Sequence, residues 1–597
     1  MKKFLPILSW LAALLIAASA LLIFEADFLW KLQESNLFLN TSMFFREQMV
    51  VPGGLTTWVA TFFTQFFYYP WLGTVLLCGW WLLLMWVVRR AFRVDAQWTP
   101  LMLVPVGLLL LTIVDMGYWV YMLKLQGHAF VGTIATTAVA VLLWAFRALP
   151  SRYYLRPVFI LLTSVVGYPL MGIYGLGAAL LMGIWSWRLK SQPIVCSLVS
   201  VVSVIAVPLL CYRLVYYQTN LANIYYAELP IYYITEEYHA YYVPFYLLAL
   251  FFVVLTLVPL QRVKPLKATL VEGVTLVALV VGVSMYWFKD ENFHHEVAMQ
   301  RCIEQADWQG VMAEAAKQED EPTRAVVMMR NLALGRLGRQ GEEMYRYPNG
   351  SKRYEAPFDM RLMLVSGPLV YYQYGMLNYS ARLSTEMGVE FGWRAENLKM
   401  LARCAVVNGE TQQARKYLHL LERTTFFGGW AEERRQLMGD STALAAHPET
   451  GYVKRMMHFY NNLNSDGGNI ESFLMHRIAE STYRKDPFFQ EQTLLASLWT
   501  KDMTQFWYHF SDYLRLHPND RLPRYYQEAA YLYGKLQDRK DIDRIPFDTS
   551  VIQSFDNFMQ AAEHYNNAEV EVARKGLRMF SHTFYYDYYL MNQLPEY

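Results

Sequence analysis

An all-α protein is predicted, with a polytopic transmembrane helical domain at residues 1–289 followed by a soluble helical-repeat solenoid at 290–597, and three observations predict it. Hydrophobic residues make up 54% of the 597 and charged ones only 17%, too apolar for an ordinary soluble chain of this size. Before residue 290, apolar runs of about 17 to 22 residues recur, each long enough at about 1.5 Å per residue to cross a hydrocarbon core of about 30 Å. After it the apolar residues return at i, i+3, i+4 and i+7, while strand-like alternation is rare.

Taken in order, the apolar runs read as spans at 5–24, 71–88, 100–115, 129–147, 157–173, 174–188, 194–211, 243–260 and 267–287. Nine crossings put Met1-Lys2-Lys3, Arg89-Arg90-Ala91-Phe92-Arg93, Arg147 to Arg156, Arg188-Leu189-Lys190 and Arg262 to Lys267 on one side. Short cytoplasmic loops carry the positive excess, so the amino terminus is expected in the cytoplasm and everything after Trp287 on the far side. In a bacterium with two membranes this means an inner-membrane protein with a periplasmic carboxyl-terminal domain. Ala18-Ser19-Ala20 has the look of a signal-peptidase site, but Leu21-Leu22-Ile23-Phe24 carries the run to membrane length, so an uncleaved first helix is expected. The far-side loops are then 25–70, 116–128 and 212–242. The last is crowded with tyrosine, at Tyr225-Tyr226, Tyr232-Tyr233 and Tyr241-Tyr242, which suits an interfacial belt or a groove for sugar or lipid.

Several function classes fall away. Fifty-three basic against 51 acidic residues give no global field for nucleic acid. No G-x-x-x-x-G-K-[ST] is present, which leaves a P-loop ATPase without support. Cys78, Cys196, Cys211, Cys302 and Cys404 make no C-x-x-C pair; Cys302 and Cys404 would pair only if the fold brings them together. His294-His295-Glu296 lacks the second histidine of H-E-x-x-H and reads as surface residues. Glu272 is one intramembrane acid near the basic end of its span, too little buried charge to favour a transporter. Gly172, Gly175, Gly177 and Gly183 read as helix-packing positions.

The longest far-side loop, 25–70, opens with Phe24-Glu25-Ala26-Asp27-Phe28-Leu29-Trp30. It is no soft linker, because Leu29, Trp30, Leu37, Phe38 and Phe44 need burial. Past Pro52-Gly53-Gly54, the aromatic residues Trp58, Phe62, Phe63, Phe66 and Phe67 fall on one face, with threonines and Gln65 elsewhere. Continued unbroken to Val88, that helix would be about 50 Å long, so a bend near Pro70 is expected, with 55–69 lying along the interface. Carboxylates commonly end a transmembrane helix because charge can be hydrated there, but a helix carboxyl end is where the macrodipole disfavours acids.

An acidic pair at the outer end of the first helix, followed by interfacial helices, resembles the plan of the GT-C glycosyltransferases, with Glu25-Ala26-Asp27 the segment that matches their acidic motif. The resemblance implies Glu25 and Asp27 as catalytic base or metal ligand, a lipid-phosphate-linked sugar as donor, and a divalent metal as the one cofactor to consider; without transfer chemistry no cofactor is expected. A phosphate leaving group asks for cations, and Lys31 and Arg46 on the same loop, or Lys124 and Arg213 on the others, are the candidates. Glu34 and Glu47 are spare carboxylates.

In the second half, 395–425 reads as a helix pair turning at Asn408-Gly409, with Ala414, Leu418 and Leu421 on one face of the second helix. This resembles a tetratricopeptide-type repeat; Asn331 to Gly338 and Ala568 to Arg574 are fainter echoes. Such arrays present concave surfaces to protein partners. Leu522-Pro523-Arg524 reads as a helix start with proline in its first turn, and Tyr585-Tyr586-Asp587-Tyr588-Tyr589 as a segment that docks on the repeat. From MKKFLPILSW through EQMVVPGGLTTW and FFTQFFYYPW to RYYQEAAYLYG, the chain is also similar to an uncharacterised family of polytopic membrane proteins from Bacteroides-like bacteria with a helical-repeat carboxyl domain, a family that implies topology and no activity. Three readings stay open: a transferase acting on a lipid-linked sugar, a membrane-anchored adaptor holding an envelope-assembly partner, and a transporter. In all of them membrane lipid is a partner and nucleic acid is not.

Overall fold

The computed structural model describes residues 5–595 apart from 151, 153, 233–237, 353–360, 459–462, 464–468, 484 and 519. Met1-Lys2-Lys3 and Tyr233 lie outside the described residues. Every regular element among the described residues is helical. Two compact units emerge: Met1–Asp290 together with the strips Gly388–Glu396 and His419–Ala431, and the remainder of the chain.

In the first unit, each of the nine apolar runs falls largely on a helix. The first is α1, Leu5–Phe24. The loop after it folds as α2 (Ala26–Glu34), α3 (Ser42–Gln48), α4 (Gly54–Thr64) and a 3-10 turn at Gln65–Tyr68. Pro70 then opens α5, Pro70–Phe92, since proline at a first helical position loses no intrahelical bond. The predicted break at Pro70 is therefore present. Next come α6 (Leu103–Val114, led in by a 3-10 segment from Ala96), α7 (His128–Ala148), α8 (Leu155–Met171), α9 (Ile173–Arg188) and α10 (Pro193–Leu214), and then His239–Leu257 and Pro265–Tyr286.

Six helices among the described residues are long and apolar enough to cross a bilayer: α5, Ala96–Val114, α7, α10, His239–Leu257 and Pro265–Tyr286. Leu8–Phe24 and α2 reach that length only together and are bent by 79° at Glu25; α1 is read here as the crossing segment and α2 as leaving it. α8 is a shorter apolar helix, because Gly172 at φ +55° ends it and α9 turns back on it. Gly167 and Gly175 then let the two backbones meet. Gly183 packs on Ser200, whereas Gly177 faces open space. The helix Pro265–Tyr286 exposes Leu266, Leu270, Val274 and Val277, an apolar surface suited to hydrocarbon.

The two strips from the second half are integral to this unit. Phe426 lies flat on Tyr68, with centroids 4.9 Å apart and planes 2° from parallel, and meets Phe66 edge-on at 5.7 Å. Asn40 N–H donates to Arg423 O at 3.0 Å.

The second unit packs helix on neighbouring helix: Glu291–Glu304, Trp308–Ala315 and Arg324–Arg336 in one run, and Ile470–Ala479, Pro487–Thr500 and Met503–Leu516 in another. Asp307, Thr323, Asp486 and Asp502 cap helix starts by accepting backbone N–H groups, which is why these short polar side chains stand there. Ala395–Asn408 and Thr411–Glu422 are the predicted helix pair, with Gly409 at φ +77° and Ala414, Leu418 and Leu421 fully buried. Pro523 sits at the N-cap of Arg524–Leu536, one residue before the predicted first-turn place. His295 corrects the sequence reading: it is buried and bonded to Glu314 Oε1 at 2.8 Å, while Glu296 is buried and accepts from Thr323 Oγ1 at 2.5 Å. None of the five cysteines is in a disulfide among the described residues, so Cys302 and Cys404 do not pair; Cys404 is a packing residue beside Tyr372, Met400 and Val453. The tyrosine-rich segment 584–590 is a helix buried on Phe584, Tyr585 and Tyr586, and its Asp587 pairs with Lys352 at 3.3 Å.

Candidate functional site

The apolar run of α1 gives out at Phe24, and the chain turns there rather than continuing. Glu25 leaves helical geometry at φ −123°, ψ 12°, and α2 departs at the 79° bend. The carboxyl does not emerge into water: Glu25 is 3% exposed. Its Oε1 accepts from Trp287 Nε1 at 2.5 Å, and that indole stands edge-on to Phe24. Burial pushes the Glu25 pKa up to about 7 against the opposing bond from Trp287. The next residue, Phe288, donates its N–H to Val114 O at 2.9 Å. The stretch Trp287-Phe288 thus joins the start of α2 to the end of α6.

Asp27 is half-buried in the first turn of α2. Lys31 is buried and already matched, 2.5 Å from Glu396 and 4.7 Å from the Tyr121 ring centroid, so a phosphate would have to compete with Glu396 for it. Arg46, Lys124 and Arg213 are exposed on three separate segments. Of the residues chosen from the sequence, Glu25, Asp27 and Lys31 share one short helix, at the N-cap, first turn and last turn of α2, while the three other cations lie on α3, on the loop after α6 and at the end of α10. No group of three histidine, cysteine, aspartate or glutamate residues that could hold a metal occurs among the described residues.

Two carboxyls escaped the sequence reading. Asp115 ends α6 as Glu25 ends α1; it is half-buried, and burial raises its pKa to about 7. An acid directly after an apolar run was a usable signal. Beside it Tyr232 is buried among Trp119, Tyr241 and Tyr242. Glu228 had no signal in its neighbourhood of the sequence. It is 6% exposed, takes a left-handed φ of +72°, and accepts from Thr57 Oγ1 at 2.6 Å; its Oε2 has no partner. Burial drives this carboxyl up to about 8, the Thr57 bond opposing.

Glycine makes room for Glu228. A β-carbon on Gly53, at φ +92°, would fall on the Glu228 side chain, and one on Gly172 would stand 2.5 Å from Ala227 O. Gly172→Ala is therefore expected to cost at least the about 1–3 kcal/mol of a forced backbone conformation, with steric displacement of Ala227 in addition, read as a lower Tm of the full chain in lipid nanodiscs. An unchanged Tm would show that the 172 turn relaxes freely.

The profile of a family of unknown function, DUF6057, matches residues 2–592. The chain belongs to DUF6057. No curated protein and no solved structure matches it. The family brings no activity with it, so the chemistry of this DUF6057 chain rests on its own groups. Glu25 and Asp115 each follow an apolar helix and are drawn out of water, and the dipeptide Trp287-Phe288 bonds to the Glu25 carboxyl and to the carbonyl of Val114, the residue before Asp115.

Proposed function

We propose that this DUF6057 chain is a membrane-embedded transferase moving a sugar from a lipid-phosphate donor, in the manner the GT-C resemblance implies, with Glu25 as general base. What carries this reading is a carboxyl buried at the bend that ends the first apolar helix, with its pKa raised to about 7. A base works best when its pKa lies near the working pH. Its carboxylate takes the proton of the acceptor hydroxyl while the new bond forms to the anomeric carbon and the phosphate departs with the electrons of the old bond. Asp27, two residues along in the first turn of α2, positions the acceptor or a divalent metal. In this reading the transfer takes place at the periplasmic face of an inner membrane, and the tetratricopeptide-like second unit holds a protein or glycan.

The adaptor reading loses ground to one observation: residues 388–396 and 419–431 are built into the first unit, more than a simple tether needs. The discriminating experiment replaces the chromosomal copy with Glu25→Gln or Asp27→Asn. Loss of one envelope glycan at normal protein level supports transfer. Unchanged glycans in both strains, together with a co-purifying envelope protein, would make the chain an adaptor.

A further inference from the structure

Glu228 is enclosed by three segments of the first unit that lie far apart in sequence. Gly53, which caps α4, donates its N–H to Pro169 O at 2.9 Å, and Ile173, which opens α9, donates to Ala227 O at 3.1 Å. Thr56 Oγ1 donates to Leu170 O at 3.1 Å. These bonds tie the start of α4, the turn between α8 and α9, and the segment 223–230 to one another. The carboxyl fills the space between them: β-carbons on Gly53 and Gly172 would stand 2.0 Å and 2.8 Å from Glu228 Cγ.

It is closed in without a counter-charge. Oε1 accepts from the Thr57 hydroxyl at 2.6 Å, Oε2 has no partner, and no basic group pairs with either oxygen among the described residues. α4 contains no ionisable side chain. α8 presents Tyr168, whose hydroxyl donates to Ile224 O at 2.8 Å, and α9 presents Tyr174, within reach of a Glu228 charge. Arg156 and Arg188 stand at the far ends of these two helices. His128 on α7 turns instead to Thr112 O at 2.9 Å. Tyr216, Tyr225 and Cys211 pack with Tyr168 and Ala227, and Tyr242, which meets Tyr226, donates to Pro230 O at 2.7 Å. The surroundings are thus phenols and a thiol, groups that ordinarily stay neutral below about 8.

The two forms of the acid therefore fare differently. A neutral carboxyl is a buried polar group held by one hydroxyl. A carboxylate in the same place is a charge with one hydrogen bond and no cation, which burial penalises heavily. The backbone adds to the imbalance, since Glu228 takes a left-handed φ of +72°, a conformation that persists only while the surroundings impose it.

We infer that Glu228 is the pH-responsive pin of a clasp: protonated, it seats the segment 223–230 on α4 and on the 172 turn, and on losing its proton it lets that segment lift away. The carboxyl pKa, raised by burial to about 8 against the Thr57 bond, agrees with this. Its sign fixes the direction. The seated acid holds its proton more tightly than the released one, so closure is strongest below the ordinary 4.5 and weakens about tenfold per pH unit until about 8. The clasp stands whether or not Glu25 is a base.

The test is amide hydrogen exchange of the full chain in nanodiscs from about pH 5 to about pH 9, read at the Ile173 amide and corrected for the intrinsic exchange rate. Protection there is expected to fall about tenfold per pH unit and to level off above about 8, while amides inside α7 keep theirs. Glu228→Gln has nothing to ionise, so its profile should be flat. Thr57→Val removes a bond that favours the charged form, so the fall should continue to higher pH before it levels. A flat wild-type profile overturns the proposal. So does a wild-type slope retained in E228Q, and so does a levelling point that T57V leaves in place. If E228Q does not fold, the wild-type and T57V profiles decide alone.

Discussion

Glu471→Ala is expected to destabilise the second unit by about 3–5 kcal/mol, the usual penalty for stranding a buried charge. Glu471 faces Arg324 through two bonds, 2.7 Å from Nε and 2.5 Å from Nη2, and accepts from Trp499 Nε1 at 2.7 Å. Both charged side chains are under a tenth exposed. Arg324 also donates to Asn349 O at 2.5 Å, which does not neutralise it. Truncating Glu471 takes two bonds and a facing negative charge from that buried guanidinium, whereas Arg324→Met with Glu471→Met removes the pair together and should cost less than either single change. Unfolding followed through tryptophan fluorescence reads the difference. A single-variant loss below about 1 kcal/mol, the range of an exposed pair, would show that water reaches Arg324.

The same network sets a direction for pH. Burial alone would raise the Glu471 pKa, but the charge and bonds of Arg324 outweigh it and hold the carboxyl below its ordinary 4.5. Glu304, between Arg403 and Lys399, and Glu449, beside Arg403 and Arg434, are held down likewise. A depressed carboxyl contributes stability that is complete above the unfolded value and lost as pH falls through the folded one. The second unit should therefore hold through neutral pH and weaken below about 4.5.

What could be read from sequence was what neighbours in sequence decide. Apolar periodicity located the helices, Pro70 the bend and Gly409 the turn, because each acts within a few residues. Long-range pairing was illegible. Lys31 passed for a free phosphate ligand because its partner Glu396 lies 365 positions away. His295 passed for a surface residue because Glu314, which buries with it, belongs to another helix. Gly53 announced a break, whereas Gly172 passed for a helix-packing position although at φ +55° it ends α8; that both turns make space for Glu228 depends on three loops meeting. The two short runs at 157–173 and 174–188 match α8 and α9 in length, with Gly172 between the two helices.

Glu25→Gln is expected to lower sugar transfer about a hundred- to ten-thousand-fold, the range supplied by a positioned base. Glutamine keeps the shape and still accepts from Trp287, so a loss on this scale would report proton transfer rather than collapse. The pH dependence is the sharper test. Only the ionised carboxylate is a base, so the wild-type rate should climb with pH and level off above about 7, where Glu25 has given up its proton. Trp287→Phe removes a bond that favours the charged form and so strengthens the hold of burial on the neutral one. The carboxyl then becomes a weaker acid, and the inflection of the profile moves to higher pH. A profile that stays in place in Trp287→Phe, or an E25Q enzyme retaining more than about a tenth of the rate, would remove Glu25 from the chemistry and turn attention to Asp115, the other carboxyl at a helix end whose burial tunes it to the same range.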